Sequence, residues 1–388
     1  MIKTFKYKLY NSKSNKHLIS QIELASEIYN HCISLYKNYY RLFHKSLNLF
    51  KLQKHITKLK KLSKYSHWRK LPSQSIQDIP ERINRCYKNF FRRNARHLPN
   101  YRSRYKYKSF SLKQAGYKLF DDNRIVINKK EYKYFKSRNI EGEIKLLTIK
   151  RDTIGDLYLF IICEVPNPEP VFKTGTTAGM DFGLKNFLVL SDNTRINNPE
   201  YLKNSLNKLK KVQQVLSRKS EKSKRSNNRR KAVKAVERVH KKIFNQRHDF
   251  LFKLARQLCF SYDELCVENL DLDAMKRDEY QGRKTSDLSY GQFLNILEYY
   301  CEKTGKKLVK ISRWYPSSKT CSNCGWYNKY LDRNERVFKC KDCGSKIDRD
   351  LNASINIHRV GSSTLCECNN FPQNVEENYY DSIESQML

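Results

Sequence analysis

The sequence predicts an N-terminal β domain that carries a helical insert, followed by an α/β domain interrupted by a cysteine-rich ribbon. Three observations lead there. Hydrophobic periodicity switches from two to three-and-four and back again between residues 3 and 165. Three prolines in five residues, Pro166, Pro168 and Pro170, then stop any strand ladder and mark a boundary between residues 166 and 175. Further along, two C-x2-C pairs stand 15 residues apart.

Residues 3–10 alternate Phe5, Tyr7 and Leu9 with Lys6 and Lys8, the period of a strand with one polar face. From residue 16, Leu18, Ile22, Ala25, Tyr29, Cys32, Ile33, Tyr36, Tyr40 and Phe43 recur every three or four positions and so share one helical stripe. Leu49, Leu52, Ile56 and Leu59, and then Ile76 to Phe91, continue that pattern, which makes residues 16–99 a helical insert. Strand-like pieces return in FSLKQAGYKLF and NRIVI, on either side of an Asp121-Asp122-Asn123 turn, and in IKLLTIK and LYLFIICEV. The β domain is therefore assigned to residues 1–15 and 100–170.

Beyond the prolines, TAGMDFGLKNFLVLSD reads as two short strands joined at Gly183-Leu184-Lys185-Asn186, LCVENL as a buried strand and LVKISRWY as a third. Long helices lie between them. Leu202, Leu206, Leu209, Val212 and Leu216 set one stripe, and Val233, Val236, Ile243, Phe250, Leu254 and Leu258 set another. This order indicates an α/β sheet over residues 171–320 and 345–365, with the ribbon at 321–344. Residues 366–388 hold five acidic side chains and no basic one, the composition of a disordered tail.

Lys and Arg number 77 against 39 Asp and Glu, a formal charge of +38, interleaved with 26 Tyr and 19 Phe. Charge of that size repels itself unless a polyanion compensates it, and aromatic rings stack on bases, so nucleic acid is the expected partner. A hydrophobic fraction of 39% and a mean hydropathy of −0.79 argue against a compact enzyme for small metabolites. No apolar run approaches the roughly 18 residues of a membrane span, and MIKTFKYKLY lacks a signal-type core, so an intracellular location, cytoplasmic or nucleoid-associated, is expected, with no membrane partner. Residues 203–247 carry seventeen Lys or Arg, among them Arg229 and Arg230, against Glu221 and Glu237. That balance is too one-sided for internal ion pairs and marks a surface facing nucleic acid.

Cys321, Cys324, Cys340 and Cys343 have the spacing of a four-thiolate zinc site, with Gly325 and Gly344 easing the turn after each pair. Four thiolates leave no open position, so one structural Zn²⁺ is expected. Most of the remaining cysteines, such as Cys32 and Cys163, sit on apolar stripes as core residues, Cys366 and Cys368 form a lone C-x-C in the tail, and no histidine pair has metal-ligand spacing. Three carboxylates stand out. Asp181 follows the apolar stretch TAGM, Glu268 ends LCV and Asp350 opens LNASINI. A carboxylate at the end of a buried strand is costly unless it is paired or binds metal. Each also fits a simpler role: Asp181 in a turn, Glu268 in a salt bridge, Asp350 capping a helix that starts at Leu351.

The ordered set AGMDFGLKN, CVENL, SSKTCSNCG, the second cysteine pair and DRDLNASINI resembles the RuvC-type nuclease half of transposon-encoded TnpB proteins, relatives of compact type V CRISPR effectors. The resemblance is strong over residues 176–358. In the N-terminal half it rests on the order of elements and on stretches such as PSQSIQDIPERINRCYKNFF. It implies an RNase H-like (RuvC) nuclease domain with a zinc ribbon, and an N-terminal wedge β-barrel carrying a helical recognition insert. It further implies a catalytic triad of Asp181, Glu268 and Asp350 holding two Mg²⁺ ions, a bound guide RNA, and RNA-guided cleavage of target DNA beside a short adjacent motif. Within DRD, Asp350 is chosen over Asp348 because it begins the D-x-N-A pattern; Ser354 stands where the family more often has Ala. Motif reading falls to Ser73, Gln74 and Gln77 with Arg82 and Arg85, since Gln can bond adenine bidentately and Arg guanine. Chains of this family can be encoded beside a transposase. The competing readings are a compact type V CRISPR effector, a DNA-binding regulator without cleavage, and a cut-and-paste transposase, which the ribbon before the last acid disfavours.

Overall fold

In the computed structural model, which describes residues 1–167, 172–219, 226–271, 287–332 and 335–365, the opening alternation forms strand β1 (Ile2–Lys8), with Phe5 and Tyr7 turned into the core. The described chain divides into two units, Met1–Asn167 and Pro168–Leu388. The acidic segment 366–388, with Cys366 and Cys368, lies outside the described residues.

In the first unit the helical stripe becomes α1 (Asn15–Phe43), which buries Leu18, Ile22, Ala25, Tyr29, Cys32, Ile33 and Tyr36. The stripe outlasts its partner: Tyr40 and Phe43 continue it yet are 61% and 57% exposed. Helices α2 (Leu49–Leu59) and α3 (Ser73–Phe91) complete the insert, and α1 and α2 both pack on α3. The strands that follow are β2 (Ser109–Leu112), β3 (Tyr117–Leu119), β4 (Arg124–Ile127), β5 (Lys130–Lys133), β6 (Glu143–Arg151) and β7 (Leu157–Glu164). They are recorded as two sheets, a four-stranded antiparallel one in the order β1-β7-β6-β2 and a meander β3-β4-β5, bridged at Leu9 and Tyr134. Asn128 and Lys129 both take positive φ, 48° and 64°, which is how two residues turn β4 back into β5.

The second unit is built on β8 (Thr177–Asp181), β9 (Asn186–Leu190), β10 (Arg195–Asn197), β11 (Glu264–Glu268) and β12 (Lys307–Ile311), in the sheet order β10-β9-β8-β11-β12. Strands β8, β11 and β12 run parallel, while β9 and β10 are antiparallel. Helices α4 (Tyr201–Ser217) and α5 (Asn227–Ser261) separate β10 from β11, and α6 (Tyr290–Thr304) precedes β12. Leu265 and Val267 of β11 join the core made with α5 and α6, whereas Cys266 between them packs with Ile311 and Ile357 on the other face. Burial on both faces explains why β11 reads as an unbroken apolar run.

A β-hairpin, β13 (Val337–Lys339) and β14 (Lys346–Asp348), leads directly into α7 (Arg349–Leu365), which packs across β8 and β11. The approach is close. A Cβ on Gly179 would overlap the Ser354 carbonyl and the His358 backbone nitrogen, and one on Gly361 would overlap the Cys266 sulfur. Thr177 Oγ1 and His358 Nε2, 2.7 Å apart, secure the same contact. Gly179→Ala is therefore expected to push α7 off the sheet at a cost of about 1–3 kcal/mol. A thermal melt reads this; a melting temperature equal to that of the parent protein would contradict the seating.

Candidate functional site

Asp181 and Glu268 are the last residues of the neighbouring parallel strands β8 and β11, whose register pairs Met180 with Val267 immediately before them. Asp350 lies in the first turn of α7, the helix that crosses both strands. The fold thus brings three acids from distant segments close enough for the Asp350 and Glu268 charges to act on Asp181. Burial, then the Asp350 and Glu268 carboxylates, hold the Asp181 acid well above the usual carboxylate range, opposed by Arg349 and the Phe182 amide. Burial pushes Glu268 up to about 7. Ionisation of Asp181 in such surroundings carries a cost that a cation would relieve.

The surroundings of Asp350 were not legible in the sequence. Arg336, just before β13, places Nη1 3.7 Å from one Asp350 oxygen, and Arg349 places Nη2 3.6 Å from the other. Tyr290, at the start of α6, donates its hydroxyl to the Gly183 carbonyl at 2.6 Å. Burial and the charges of Asp181 and Asp350 both raise that phenol. Arg349 could have been suspected from its place inside DRD. Arg336 had no local signal, because only the hairpin brings it to the site.

Asp348 caps α7: its Oδ1 accepts from the Asp350 and Leu351 amides, each at 3.1 Å, and its other oxygen lies 3.6 Å from Arg195. The capping role open to Asp350 in the sequence is therefore filled two residues earlier.

The sulfur atoms of Cys321, Cys324, Cys340 and Cys343 all lie within 4.8 Å of one another, with 3.8 Å between Cys321 and Cys343 and 3.5 Å between Cys324 and Cys340. Thiolates bound tetrahedrally at a Zn–S length of about 2.3 Å are spaced by about 3.8 Å, so the four residues fit one zinc ion. Gly325 and Gly344 take φ of 84° and 70°, the left-handed turn expected after each pair. Phe338, Leu331, Trp326 and Ile347 form a small core around the sulfurs.

The residues expected to read bases divide into two groups. Gln74 Oε1 accepts from the amides of Lys113, Gln114 and Ala115, each at 3.0 Å, and Arg82 is paired with Asp78 and bonded to Ser109. Both serve the join between α3 and the β2 region. Ser73, Gln77 and Arg85 are exposed on α3. On the basic helix pair, Arg229 donates to the Lys219 carbonyl at 3.0 Å and Arg230 is exposed. There α4 and α5 share only a narrow core of Leu209, Val239 and Ile243, and part of the counted charge lies in residues 220–225, outside the described residues. Cys32 and Cys163 are buried in the core, Cys86 is exposed, and among the described residues no helix is long and apolar enough to cross a membrane.

These features define a class: a two-unit protein whose mixed α/β sheet gathers acids at its strand ends and carries a four-cysteine zinc-binding cluster. The family OrfB_IS605, described as "Probable transposase", matches residues 160–279, and the Cas12f1-like TNB domain matches residues 290–357. The chain is 27% identical over 310 residues to a Streptomyces pristinaespiralis protein named "Putative RNA-guided DNA endonuclease", covering 79% of this chain and 76% of that one. Against the Escherichia coli K12 protein named "Putative RNA-guided DNA endonuclease InsQ" the identity is 26% over 311 residues, 76% of each. With TnpB-like protein L79 of Acanthamoeba polyphaga mimivirus it is 28% over 231 residues, 56% of this chain and 43% of that protein. Among solved structures, the Cas12f1 chain in a Cas12f1-sgRNA-target DNA complex superposes with a TM-score of 0.58 at 16% identity, over 92% of this chain and 98% of that one. The chain is thus similar to TnpB/OrfB_IS605 proteins, with a Cas12f1-like TNB segment at residues 290–357 and a Cas12f-like fold.

Proposed function

We propose that this protein is an RNA-guided DNA endonuclease of TnpB type that hydrolyses target DNA beside a short adjacent motif. The observation that carries the reading is the meeting of Asp181, Glu268 and Asp350 at the ends of β8 and β11 and the start of α7. The strand order, with three parallel strands beside an antiparallel pair, supports an RNase H-like assignment for the unit. Names given to relatives support the same activity.

Bound Mg²⁺ would supply an activated water and stabilise the leaving 3′ oxygen. Asp181, Glu268 and Asp350 would hold two such ions, and Asp348 fixes the first turn of α7, which carries Asp350. Arg336 and Arg349 neutralise Asp350 while the acids are without a cation, and their guanidinium groups suit a scissile phosphate. The zinc ribbon is structural. The two-sheet N-terminal unit acts as the wedge, α1–α3 act as the recognition insert, and Ser73, Gln77 and Arg85 are the motif-reading side chains left available by the internal roles of Gln74 and Arg82.

Sequence choice comes from a guide RNA, whose pairing with target DNA is sensed through backbone shape. The guide compensates much of the +38 charge. The protein expressed with its native locus is expected to purify with one tightly held RNA species. Sequencing that RNA and redirecting cleavage with an altered guide tests the reading; clean, stable, RNA-free protein from such cells would count against it. The intact set of three acids favours cleavage over the regulator reading, and a compact CRISPR effector differs only in the source of the guide.

A further inference from the structure

We infer that Asn352 and Asn356 are positioning residues that tie the backbone around zinc ligand Cys321 to the helix bearing Asp350, so that zinc in the ribbon fixes the place of a catalytic acid. Both side chains are fully buried, and they lie one turn apart on the same face of α7. Asn352 Nδ2 donates to the Thr320 carbonyl at 2.7 Å, and its Oδ1 accepts from the Ser322 amide at 2.8 Å. Asn356 Nδ2 donates to the Ser317 and Thr320 carbonyls at 2.8 and 2.7 Å. One turn further, Arg359 Nη2 donates to the Ser322 carbonyl at 2.5 Å.

The peptides on both sides of Cys321 are therefore held by one helix, and Asn352 stands two residues from Asp350. Packing alone does not explain the choice of residues. Asn356 Oδ1 is buried without a partner, a cost that an apolar side chain of similar size would avoid. The site keeps a carboxamide for the two bonds its nitrogen donates. The bonds make a short rigid path from a zinc thiolate to the first turn of α7, and that path rests on the nuclease reading only for the word catalytic.

The test compares zinc-loaded full-length wild type, Asn352→Ala and Asn356→Leu; the leucine variant fills the space and removes the unpaired acceptor, which guards against simple unfolding. Hydrogen exchange at the amides of residues 349–353 is followed before and after zinc removal by a chelator. In wild type, zinc removal is expected to speed exchange there. In both variants exchange is already fast with zinc bound, and removal adds little. In cleavage assays the variants are expected to lose about 10–100-fold in rate while retaining zinc and guide-directed DNA binding. Exchange that responds to zinc in the variants as it does in wild type overturns the inference, as does a lowered melting temperature with an unchanged cleavage rate. A wild type that never cuts would sink the nuclease reading instead, leaving the exchange result to decide the link.

Discussion

Asp181→Ala and Asp350→Ala are each expected to reduce Mg²⁺-dependent cutting at least about 10³-fold, since losing a metal ligand forfeits several kcal/mol of transition-state stabilisation. Guide-directed DNA binding should stay nearly unchanged, because affinity comes from base pairing and phosphate contacts elsewhere. Asp348→Ala should do less harm, costing the helix cap about 1 kcal/mol of stability. A cleavage assay with matched guide and a library of adjacent motifs, run beside filter binding, checks all three. Cutting by Asp350→Ala but not by Asp348→Ala would reverse the assignment within DRD.

The same acids make a second, opposite expectation about stability. Asp181 has a raised pKa in the folded protein, so its ionised form is disfavoured there relative to the unfolded chain. The metal-free protein is then favoured at low pH and loses stability as pH climbs above the ordinary Asp range. Asp181→Asn should melt several degrees higher than wild type in Mg²⁺-free buffer at pH 8 with zinc retained, with the gap narrowing toward pH 4 and on adding Mg²⁺. An Asn variant that melts lower at pH 8 would show that the acids are not in mutual conflict.

Cys340→Ser is expected to lose the zinc and, with it, the ribbon. The apolar cluster around the sulfurs is only a handful of side chains, far too few to stand alone. A structural zinc supplies about 10–16 kcal/mol of apparent binding free energy in small zinc-binding peptides. Val337 pairs with Asp348 across the hairpin, so unfolding the ribbon frees the start of α7 and removes Arg336 from Asp350. Cleavage should fall by about 10–100-fold or more. Metal analysis that still finds one zinc per chain in the variant would show that the ligands are misassigned.

What could be read in advance was whatever the physics of burial writes locally. The alternation at Phe5 and Tyr7, the stripe from Leu18 to Tyr36 and the unbroken Leu265-Cys266-Val267 run each name the face that ends up inside. Strands β5 and β10, KEYK and RIN, were invisible because short polar strands are made by their turns and neighbours rather than by their own side chains. Partners supplied by remote chain also escaped notice. Gln74 and Arg82 looked free to meet bases, but their acceptors and donors come from a segment about 30 to 40 residues away. The start of α7 was expected at Leu351 and lies at Arg349, which moved the cap from Asp350 to Asp348.

The three acids lie at positions 181, 268 and 350, the last on the helix seated over Gly179. A ribosome making this chain therefore exposes the first acid long before the third exists, and the third is useful only after α7 has docked on a sheet completed much earlier. The nascent protein thus cannot bring the three acids together until α7 emerges. Assembly of the three acids is delayed by chain order alone.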